Sequence, residues 1–351
     1  MTDALANAFP QLGKRLRKVP LAGLPTPVIQ KEVETPAGKR AVAVKRDDIS
    51  SALYGGNKIR KLEYIFRRAL DHGATRVATF GAAGSNHALA TAILARDIGL
   101  DCTCFLTHQT RTPKVPVTLN MHRHLGTEIV RYGGSIETLP LFREHLQHRK
   151  AWVVPLGGSC WLGAVGFVAA GLELAEQVAQ GSIACPARIY IANGTMGSAA
   201  GLLLGLAAAG LSTEVHAVRV ADNEFTNPAI LDRLIRKTAL LLNRFDPSFD
   251  AGLADRTRLR WRDDFFANGY AKFDDATVNA ISFASGALDL NLETTYTGKA
   301  MAAMLQDLQL PDYDGDNYLF WNTHNSSPLP VGGDKPETLE NIPEDFLRYY
   351  E

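Results

Sequence analysis

The sequence predicts an α/β protein with mostly parallel sheets, divided into two domains. Apolar, strand-like segments alternate with helical patterns over residues 76–220, an order that is typical of βαβ units. Several of these segments are almost continuously apolar, as in parallel sheets that are covered on both faces. The chain has 351 residues, and a prior of about 150 residues per domain predicts two domains.

The elements of this pattern follow one another closely along the chain. The predicted strands are RVATF (76–80), DCTCFLT (101–107), TEIVRY (127–132), AWVVPL (151–156), ARIYIA (187–192) and EVHAVRV (214–220). The predicted helices are KIRKLEYIFRRAL (58–70), NHALATAILARDIG (86–99), LFREHLQHR (141–149), GAVGFVAAGLELAEQVA (163–179) and SAAGLLLGLAAAG (198–210). Because no Pro/Ser-rich linker marks a boundary, we expect the chain to cross between the domains more than once.

Composition limits the classes of function. The formal net charge is zero and the pI is about 7.1, so no overall field favours nucleic acid or membrane. No apolar run reaches the ~18 residues of a membrane span, and the N-terminal residues lack the apolar core of a secretory signal. The four cysteines form no C-x-x-C pair, and their pattern favours a reducing cytoplasm. The histidines show no metal-binding motif, so we expect no metal.

Lys58 is the first candidate catalytic residue. It follows two glycines and Asn57 in YGGNKIRKLEY (54–64) and lies in the first turn of a predicted helix, where the helix dipole disfavours a cation. The apolar face of this helix consists of Ile59, Leu62, Phe66 and Ala69. Arg60 and Lys61 lie nearby and would also disfavour a protonated amine. A solvated surface lysine is the alternative interpretation.

A lysine that forms a Schiff base must be neutral when it attacks. At the ordinary pKa of ~10.4, only about one lysine in 2,500 is neutral at pH 7. One exposed helix end supplies ~1 kcal/mol at most. We therefore expect burial in a cleft to supply most of the required pKa shift at Lys58.

Three further segments place small or polar residues where a strand meets a helix. FGAAGSNHALA (80–90) could hold a carboxylate, and IANGTMGSAAGLLLGL (191–206) could hold a phosphate, each at a helix N-terminus. The glycines of PLGGSCWLGAVGF (155–167) indicate a close approach to the backbone. A helix cap, a glycine-rich turn and tight packing are the respective alternatives. The second segment is neither G-x-G-x-x-G nor a Walker loop.

Taken in this order, the motifs resemble the family of 1-aminocyclopropane-1-carboxylate deaminase and D-cysteine desulfhydrase. These are pyridoxal-phosphate enzymes with the tryptophan synthase β-like fold, fold type II. The matching strings are LPTPV (24–28), KRDD (45–48), GGNKIRKLEY (55–64), GSNHA (84–88), GGSCWLGAVGF (157–167), GTMGSAAGL (194–202), GY (269–270), YTGKAM (296–301) and Thr323.

The resemblance implies two three-layer α/β domains and a homodimer. Residues 1–52 and 173–351 would form the large domain, residues 53–172 the small one, and the cofactor pyridoxal 5'-phosphate would lie between them. Lys58 would bind the cofactor as a Schiff base and later shuttle the substrate α-proton. Asn57, beside it, is also counted as cofactor-binding.

The resemblance also implies roles for residues in the other motifs. Asn86 would hydrogen-bond the phenolic oxygen of the cofactor, and Thr323 would face the pyridine nitrogen. The substrate carboxylate would be held by Ser85, Asn86 and His87. The phosphate would be cradled by Gly194, Thr195, Met196, Gly197 and Ser198. Tyr270 and Tyr296 would line the substrate side and, with Ser85, are the further candidate catalytic residues.

The implied reaction is α,β-elimination on a small amino acid such as D-cysteine, giving a keto acid, ammonia and the leaving group. A threonine at the pyridine nitrogen makes a weaker electron sink than a carboxylate would, which suits elimination. Thr297 stands where the deaminase branch has Glu. Deamination of 1-aminocyclopropane-1-carboxylate and release of sulfite from cysteate are alternatives, as is a non-catalytic cofactor-binding protein. Departures from the family pattern at GAAG (81–84), LETT (292–295) and NTHNSS (322–327) leave the substrate open.

Overall fold

The computed structural model describes residues 3–36, 38–133, 151–310 and 317–351. The predicted helix 141–149 lies outside the described residues. The described strands are β1 Val28–Thr35, β2 Gly38–Lys45, β3 Arg76–Ala82, β4 Asp101–Thr107, β5 Glu128–Arg131, β6 Ala151–Val153, β7 Arg188–Asn193, β8 Glu214–Arg219, β9 Leu259–Arg262 and β10 Tyr318–Trp321. The described α-helices are Ala4–Ala8, Pro10–Arg15, Asn57–Asp71, Asn86–Asp97, Lys114–His124, Trp161–Ala179, Gly197–Ala208, Pro228–Phe245, Asp275–Phe283 and Thr297–Asp307.

The strands form two sheets. The larger has six strands in the order β1-β2-β10-β7-β8-β9, and the smaller has four in the order β5-β4-β3-β6. β1 and β2 pair antiparallel, whereas the other neighbouring strands pair parallel. The predicted α/β class with mostly parallel sheets is therefore confirmed. Strand β6 is shorter than predicted and ends two residues before Pro155, which has no N–H to donate to a sheet.

The predicted domain boundaries stay a prediction, and two features of the fold bear on them. The helix Trp161–Ala179 passes through the predicted boundary at 172–173 without a break. Near the C-terminus, Ile342, Phe346 and Tyr349 belong to the hydrophobic cluster that surrounds the four-stranded sheet. This segment was assigned to the large domain, but its side chains are buried against the smaller unit.

The helix Trp161–Ala179 is long and apolar enough to cross a membrane by length and composition, although Glu173 and Glu176 interrupt its apolar sequence. Its mean hydropathy is 1.3 over an 18-residue window. However, 72% of that window is buried inside the protein. A Cβ on Gly201 would lie 2.1 Å from the Ala164 carbonyl oxygen, so the neighbouring helix Gly197–Ala208 packs directly against it. An apolar helix of this kind is typical of a protein core.

A buried ionic cluster fixes the helix Asn57–Asp71 to the larger unit. The Arg60 guanidinium donates hydrogen bonds to Asp47 at 2.7 and 2.9 Å and to Glu173 at 2.9 and 3.0 Å. Lys45 Nζ donates to the same Glu173 carboxylate at 2.5 Å. The two cations outweigh desolvation at Glu173 and lower its pKa to about 2. At Lys45, desolvation and the nearby Arg60 guanidinium outweigh the Glu173 and Asp47 carboxylates, and the pKa falls.

Candidate active site

A cavity of about 530 Å³ lies where strands of both sheets end. Its walls include the carboxyl ends of β3, β4 and β7 and the segment that follows β10. In parallel α/β proteins, ligands bind at this end of the strands. The predicted site residues that line the cavity are Asn57, Lys58, Ser85, Asn86, His87, Gly194, Thr195, Met196, Ser198, Tyr270, Tyr296 and Thr323.

Gly197 differs from the other predicted residues, because it is not among those that line the cavity. Its backbone N–H lies 3.1 Å from Ser159 Oγ and 2.9 Å from the Thr195 carbonyl oxygen. A Cβ at this position would lie 2.6 Å from Ser159 Oγ. The glycine therefore lets two chain segments meet behind the loop.

Lys58 lies at the start of its helix because Gly56 lets the chain turn there. Gly56 has φ of 94°, and a Cβ on it would lie 2.7 Å from the Thr323 carbonyl oxygen. That carbonyl accepts the Asn57 N–H at 3.1 Å. Lys58 Nζ donates to Asn57 Oδ1 at 3.0 Å. The amine is thus held inside the cavity, next to the loop that contains Thr323.

Burial lowers the pKa of Lys58 to about 8, as expected from the sequence. The Glu293 carboxylate opposes this shift, and the Lys114 ammonium adds to it. At a pKa of 8, roughly one amine in ten is neutral at pH 7. The expectation that Arg60 disfavours the protonated amine was wrong, because two buried carboxylates neutralise its charge.

The loop after β7 combines backbone and side-chain donors. Met196 has φ of 66° and immediately precedes the helix Gly197–Ala208. A non-glycine residue in this region is uncommon and often marks a functional site. Ser198 Oγ accepts the Asn57 side-chain amide at 2.9 Å, so its own proton is available to another acceptor. Thr195 Oγ1 lies 2.7 Å from Ser159 Oγ. Backbone N–H groups at such a helix start are suited to bind an anion.

A family model described as "Pyridoxal-phosphate dependent enzyme" matches residues 19–323. The chain belongs to this family. It is 30% identical over 326 residues to a D-cysteine desulfhydrase of Salmonella choleraesuis (strain SC-B67), covering 90% of this chain and 96% of the relative.

Solved structures agree with the family. A structure described as an ACC deaminase homologue is 27% identical, with a TM-score of 0.72 and coverage of 93% of this chain and 96% of its own. A pyridoxal 5'-phosphate-dependent aspartate racemase is 15% identical, with a TM-score of 0.58 and coverage of 92% and 94%. This second likeness shows the fold alone. Together with the family match, these structures confirm the predicted fold type II.

The residues at the β7 end of the cavity fit the phosphate of this family's cofactor. Asn193 directly precedes the Gly194 loop, lines the cavity, and has no hydrogen-bond partner for either side-chain polar atom among the described residues. Lys61 also lines the cavity, and its Nζ donates to the Gly157 carbonyl at 2.8 Å. A Cβ on Gly157 would lie 1.9 Å from Thr195 Oγ1, which places this lysine beside the loop. An uncompensated amide and a desolvated lysine next to a helix N-terminus suit a bound phosphate dianion.

At the opposite wall, the segment after β3 starts the helix Asn86–Asp97. Ser85 Oγ caps this helix by accepting the Ala88 N–H at 3.2 Å. Asn86 Oδ1 accepts hydrogen bonds from Lys114 Nζ and, at 3.3 Å, from the Tyr54 hydroxyl. The His87 ring is buried, with Nε2 2.9 Å from Thr79 Oγ1, and burial lowers its pKa well below the ordinary value. His87 is therefore a neutral group at pH 7.

Two tyrosines, Tyr270 and Tyr296, line the cavity next to each other. The Tyr270 and Tyr296 hydroxyls lie 2.8 Å apart. Burial and the neighbouring Tyr270 raise the pKa of Tyr296 well above its ordinary value, so its hydroxyl stays protonated. The Glu293 carboxylate accepts the backbone N–H groups of Thr295, Tyr296 and Thr297 at 2.8–2.9 Å. Glu293 thereby caps the helix Thr297–Asp307 and holds the Tyr296 turn in place.

Sequence reasoning missed several residues that line or contact this site. Among them are Tyr54, Lys61, Lys114, Asn193, Glu293 and His324. Tyr54 and Lys61 lie in the motif around Lys58, and Glu293 and His324 lie in segments that depart from the family pattern, so the sequence held a signal for these four. Lys114 lies in RTPKVPV (111–117), which matches no motif. Its contact with Asn86 and its effect on the pKa of Lys58 reveal it.

Proposed function

We propose that this protein is a lyase that catalyses α,β-elimination on a small amino acid, with D-cysteine as the first candidate substrate. The observation that carries the proposal is the buried Lys58 amine, with a pKa of about 8, in a cavity that also holds a protonated tyrosine pair. Bound pyridoxal phosphate supplies the electron sink for loss of the substrate α-proton.

The chain's own residues divide the remaining work. With the cofactor bound, the Lys58 Nζ would accept the substrate α-proton. The Tyr296 hydroxyl, hydrogen-bonded to Tyr270, holds a proton that can pass to the departing sulfur. Ser85 and the Asn86 amide lie at a helix N-terminus, where a substrate carboxylate is favoured.

The relatives support elimination and leave the substrate as a choice. One relative bears the name D-cysteine desulfhydrase, and a structural neighbour is described as an ACC deaminase homologue. Thr297, which stands where the deaminase branch has Glu, favours the desulfhydrase. Its Oγ1 accepts the Glu293 N–H at 3.1 Å and so takes part in the helix cap. Deamination of 1-aminocyclopropane-1-carboxylate and release of sulfite from cysteate are the next candidates.

The role of Lys58 is tested first. The purified protein is mixed with pyridoxal phosphate, its visible spectrum is recorded before and after borohydride, and the reduced adduct is located by peptide mapping. We expect absorbance that borohydride removes and a label on Lys58. The variant Lys58→Ala is the control and should carry no label. A label on another lysine in the wild-type protein would contradict the assignment.

The reaction is tested by measuring keto acid and sulfide after incubation with each enantiomer of cysteine. 1-Aminocyclopropane-1-carboxylate and cysteate are assayed in parallel. We expect pyruvate and sulfide from D-cysteine and none with Lys58→Ala. If the loaded protein releases keto acid from no thiol-bearing amino acid, the desulfhydrase proposal fails. If it also shows no spectral change with any amino acid, a non-catalytic cofactor-binding protein is the better description.

We also propose that the protein is a cytoplasmic homodimer. The cysteines support the compartment, because all four are free in the structure. The dimer rests on the resemblance to the family. Sedimentation of the purified protein at micromolar concentration tests the dimer, and fractionation of cells that produce the protein tests the compartment.

A further inference from the structure

Lys114 contacts the candidate cofactor-binding residue Asn86 from outside every motif of the site. It begins the helix Lys114–His124, and its Nζ donates a hydrogen bond to Asn86 Oδ1. Lys114 is not among the residues that line the cavity. Its contact with the site is therefore made through the Asn86 side chain.

The chemistry of the two side chains decides which way the Asn86 amide points. An ammonium has three donors and no acceptor, whereas an amide has one accepting oxygen and one donating NH₂ group. An amide turned the other way would direct its own N–H bonds at the ammonium. The Asn86 oxygen must therefore face Lys114. The Tyr54 hydroxyl, 3.3 Å from the same oxygen, can donate to it as well.

This orientation has a consequence for the cavity. Asn86 lines the cavity, and with its oxygen engaged by Lys114 its NH₂ group is the part left to meet a ligand. A cation on the oxygen also polarises the amide and strengthens its N–H donors, an effect that is larger in a low-dielectric interior. Burial lowers the pKa of Lys114, but the Glu293 carboxylate opposes the shift and favours the ammonium form.

We propose that Lys114 is a positioning residue that fixes the Asn86 amide so that its NH₂ group donates to the phenolic oxygen of bound pyridoxal phosphate. The inference rests on the proposed cofactor-dependent function and on the contact with the phenolic oxygen that the family resemblance implies for Asn86. Its readout is cofactor affinity, which is independent of lyase activity, so failure of one does not imply failure of the other.

The test is a double-mutant cycle on cofactor binding. Apoproteins of the wild type, Lys114→Met, Asn86→Ala and the double variant are titrated with pyridoxal phosphate, and apparent Kd is read from the visible absorbance. We expect Lys114→Met to raise Kd about tenfold in the wild-type background, which corresponds to about 1.4 kcal/mol. In the Asn86→Ala background the same change should cost less than about twofold, since independent effects add and coupled ones do not.

Three further variants separate positioning from folding. Lys114→Arg keeps the charge and donors and should stay within about threefold of wild-type affinity. Tyr54→Phe removes the longer, uncharged hydrogen bond to Asn86 Oδ1 and should weaken cofactor affinity less than Lys114→Met does. Lys39→Met, on an exposed lysine paired with an exposed Glu34, is the matched control. Circular dichroism melts of the apoproteins show which variants fold.

Two outcomes would overturn the proposal. In one, Lys114→Met weakens cofactor binding equally with and without Asn86, so that Lys114 acts elsewhere. In the other, folded Lys114→Arg binds as weakly as Lys114→Met, so that charge and donor capacity are irrelevant. If Lys114→Met does not fold, Lys114→Gln takes its place in the cycle; it removes the charge and should raise Kd in the wild-type background more than in the Asn86→Ala background.

Discussion

Replacing the reactive lysine should stabilise the protein in the absence of cofactor. Burial lowers the pKa of Lys58 from the ordinary 10.5 to about 8. At ~1.36 kcal/mol per pKa unit, keeping this ammonium in the folded cavity costs roughly 3 kcal/mol at pH 7. The side chain retains part of its exposure to the cavity, which screens the charge and reduces the cost to about 2–3 kcal/mol. Lys58→Met keeps the length and removes the charge, so its apoprotein should be more stable by about this amount.

The effect has a defined pH dependence. Below pH 8 the amine is protonated in both the folded and the unfolded chain, so the full penalty applies. Between pH 8 and 10.5 the folded chain binds fewer protons than the unfolded chain, and wild-type stability rises with pH relative to the variant. Above pH 10.5 the amine is neutral in both states and the penalty is absent. The advantage of Lys58→Met should therefore be largest below pH 8 and disappear above 10.5.

The measurement is urea unfolding of the wild-type and Lys58→Met apoproteins at pH 7 and at pH 10, followed by circular dichroism. Lys39→Met serves as the control, because Lys39 is exposed and its loss should change stability little. The reasoning is refuted if Lys58→Met is no more stable than the wild type at pH 7. It is refuted equally if a stability gain persists unchanged at pH 10.

Three further substitutions test other parts of the structure. Glu173→Gln leaves the buried cations Arg60 and Lys45 without a carboxylate partner and should reduce the free energy of unfolding by about 3–5 kcal/mol. Because the pKa of Glu173 is about 2, the wild type should lose this stability as the pH falls from 4.5 towards 2. An unchanged urea midpoint at pH 7 would contradict the role of the cluster. Gly157→Ala places a Cβ 1.9 Å from Thr195 Oγ1 and should displace the loop that contains Thr195. Titration of the apoprotein with pyridoxal phosphate should then show an affinity at least about tenfold weaker. An affinity equal to that of the wild type would argue against a rigid loop. Tyr296→Phe should lower kcat for elimination by about 10²-fold or more with cofactor affinity nearly unchanged, and a wild-type kcat would remove this hydroxyl from the proton path.

The parts of the molecule that the sequence predicted well are those that a short segment determines. The apolar face of the Lys58 helix is fully buried, as its spacing predicted, because helical periodicity is a local property. The loops at Ser85 and Gly194 were found for the same reason. In each, a strand, a small-residue turn and a helix follow one another within about a dozen residues, so the sequence itself places the donors at the carboxyl end of the sheet.

Contacts between distant segments were not predictable in this way. Arg60 was expected to repel the Lys58 charge, but Asp47 and Glu173, from two other elements, neutralise it. The Gly197 N–H was expected to face the phosphate, but Ser159 from another loop accepts it. In both cases the partner of the residue lies 13 to 113 residues away along the chain. At such separations, the spacing of residues in the sequence does not indicate which side chains will meet.

The same distinction explains why the cofactor is easier to infer than the substrate. The phosphate end of the cavity is built mainly from one contiguous loop after β7, which a motif can describe. The other end of the cavity is lined by single residues of separate segments, among them Tyr54, Glu293 and His324, and Lys114 contacts Asn86 beside them. Their charges act on one another, since the Glu293 carboxylate raises and Lys114 lowers the pKa of both Lys58 and His324. A substitution at Glu293 or Lys114 should therefore shift the pKa values of Lys58 and His324 together.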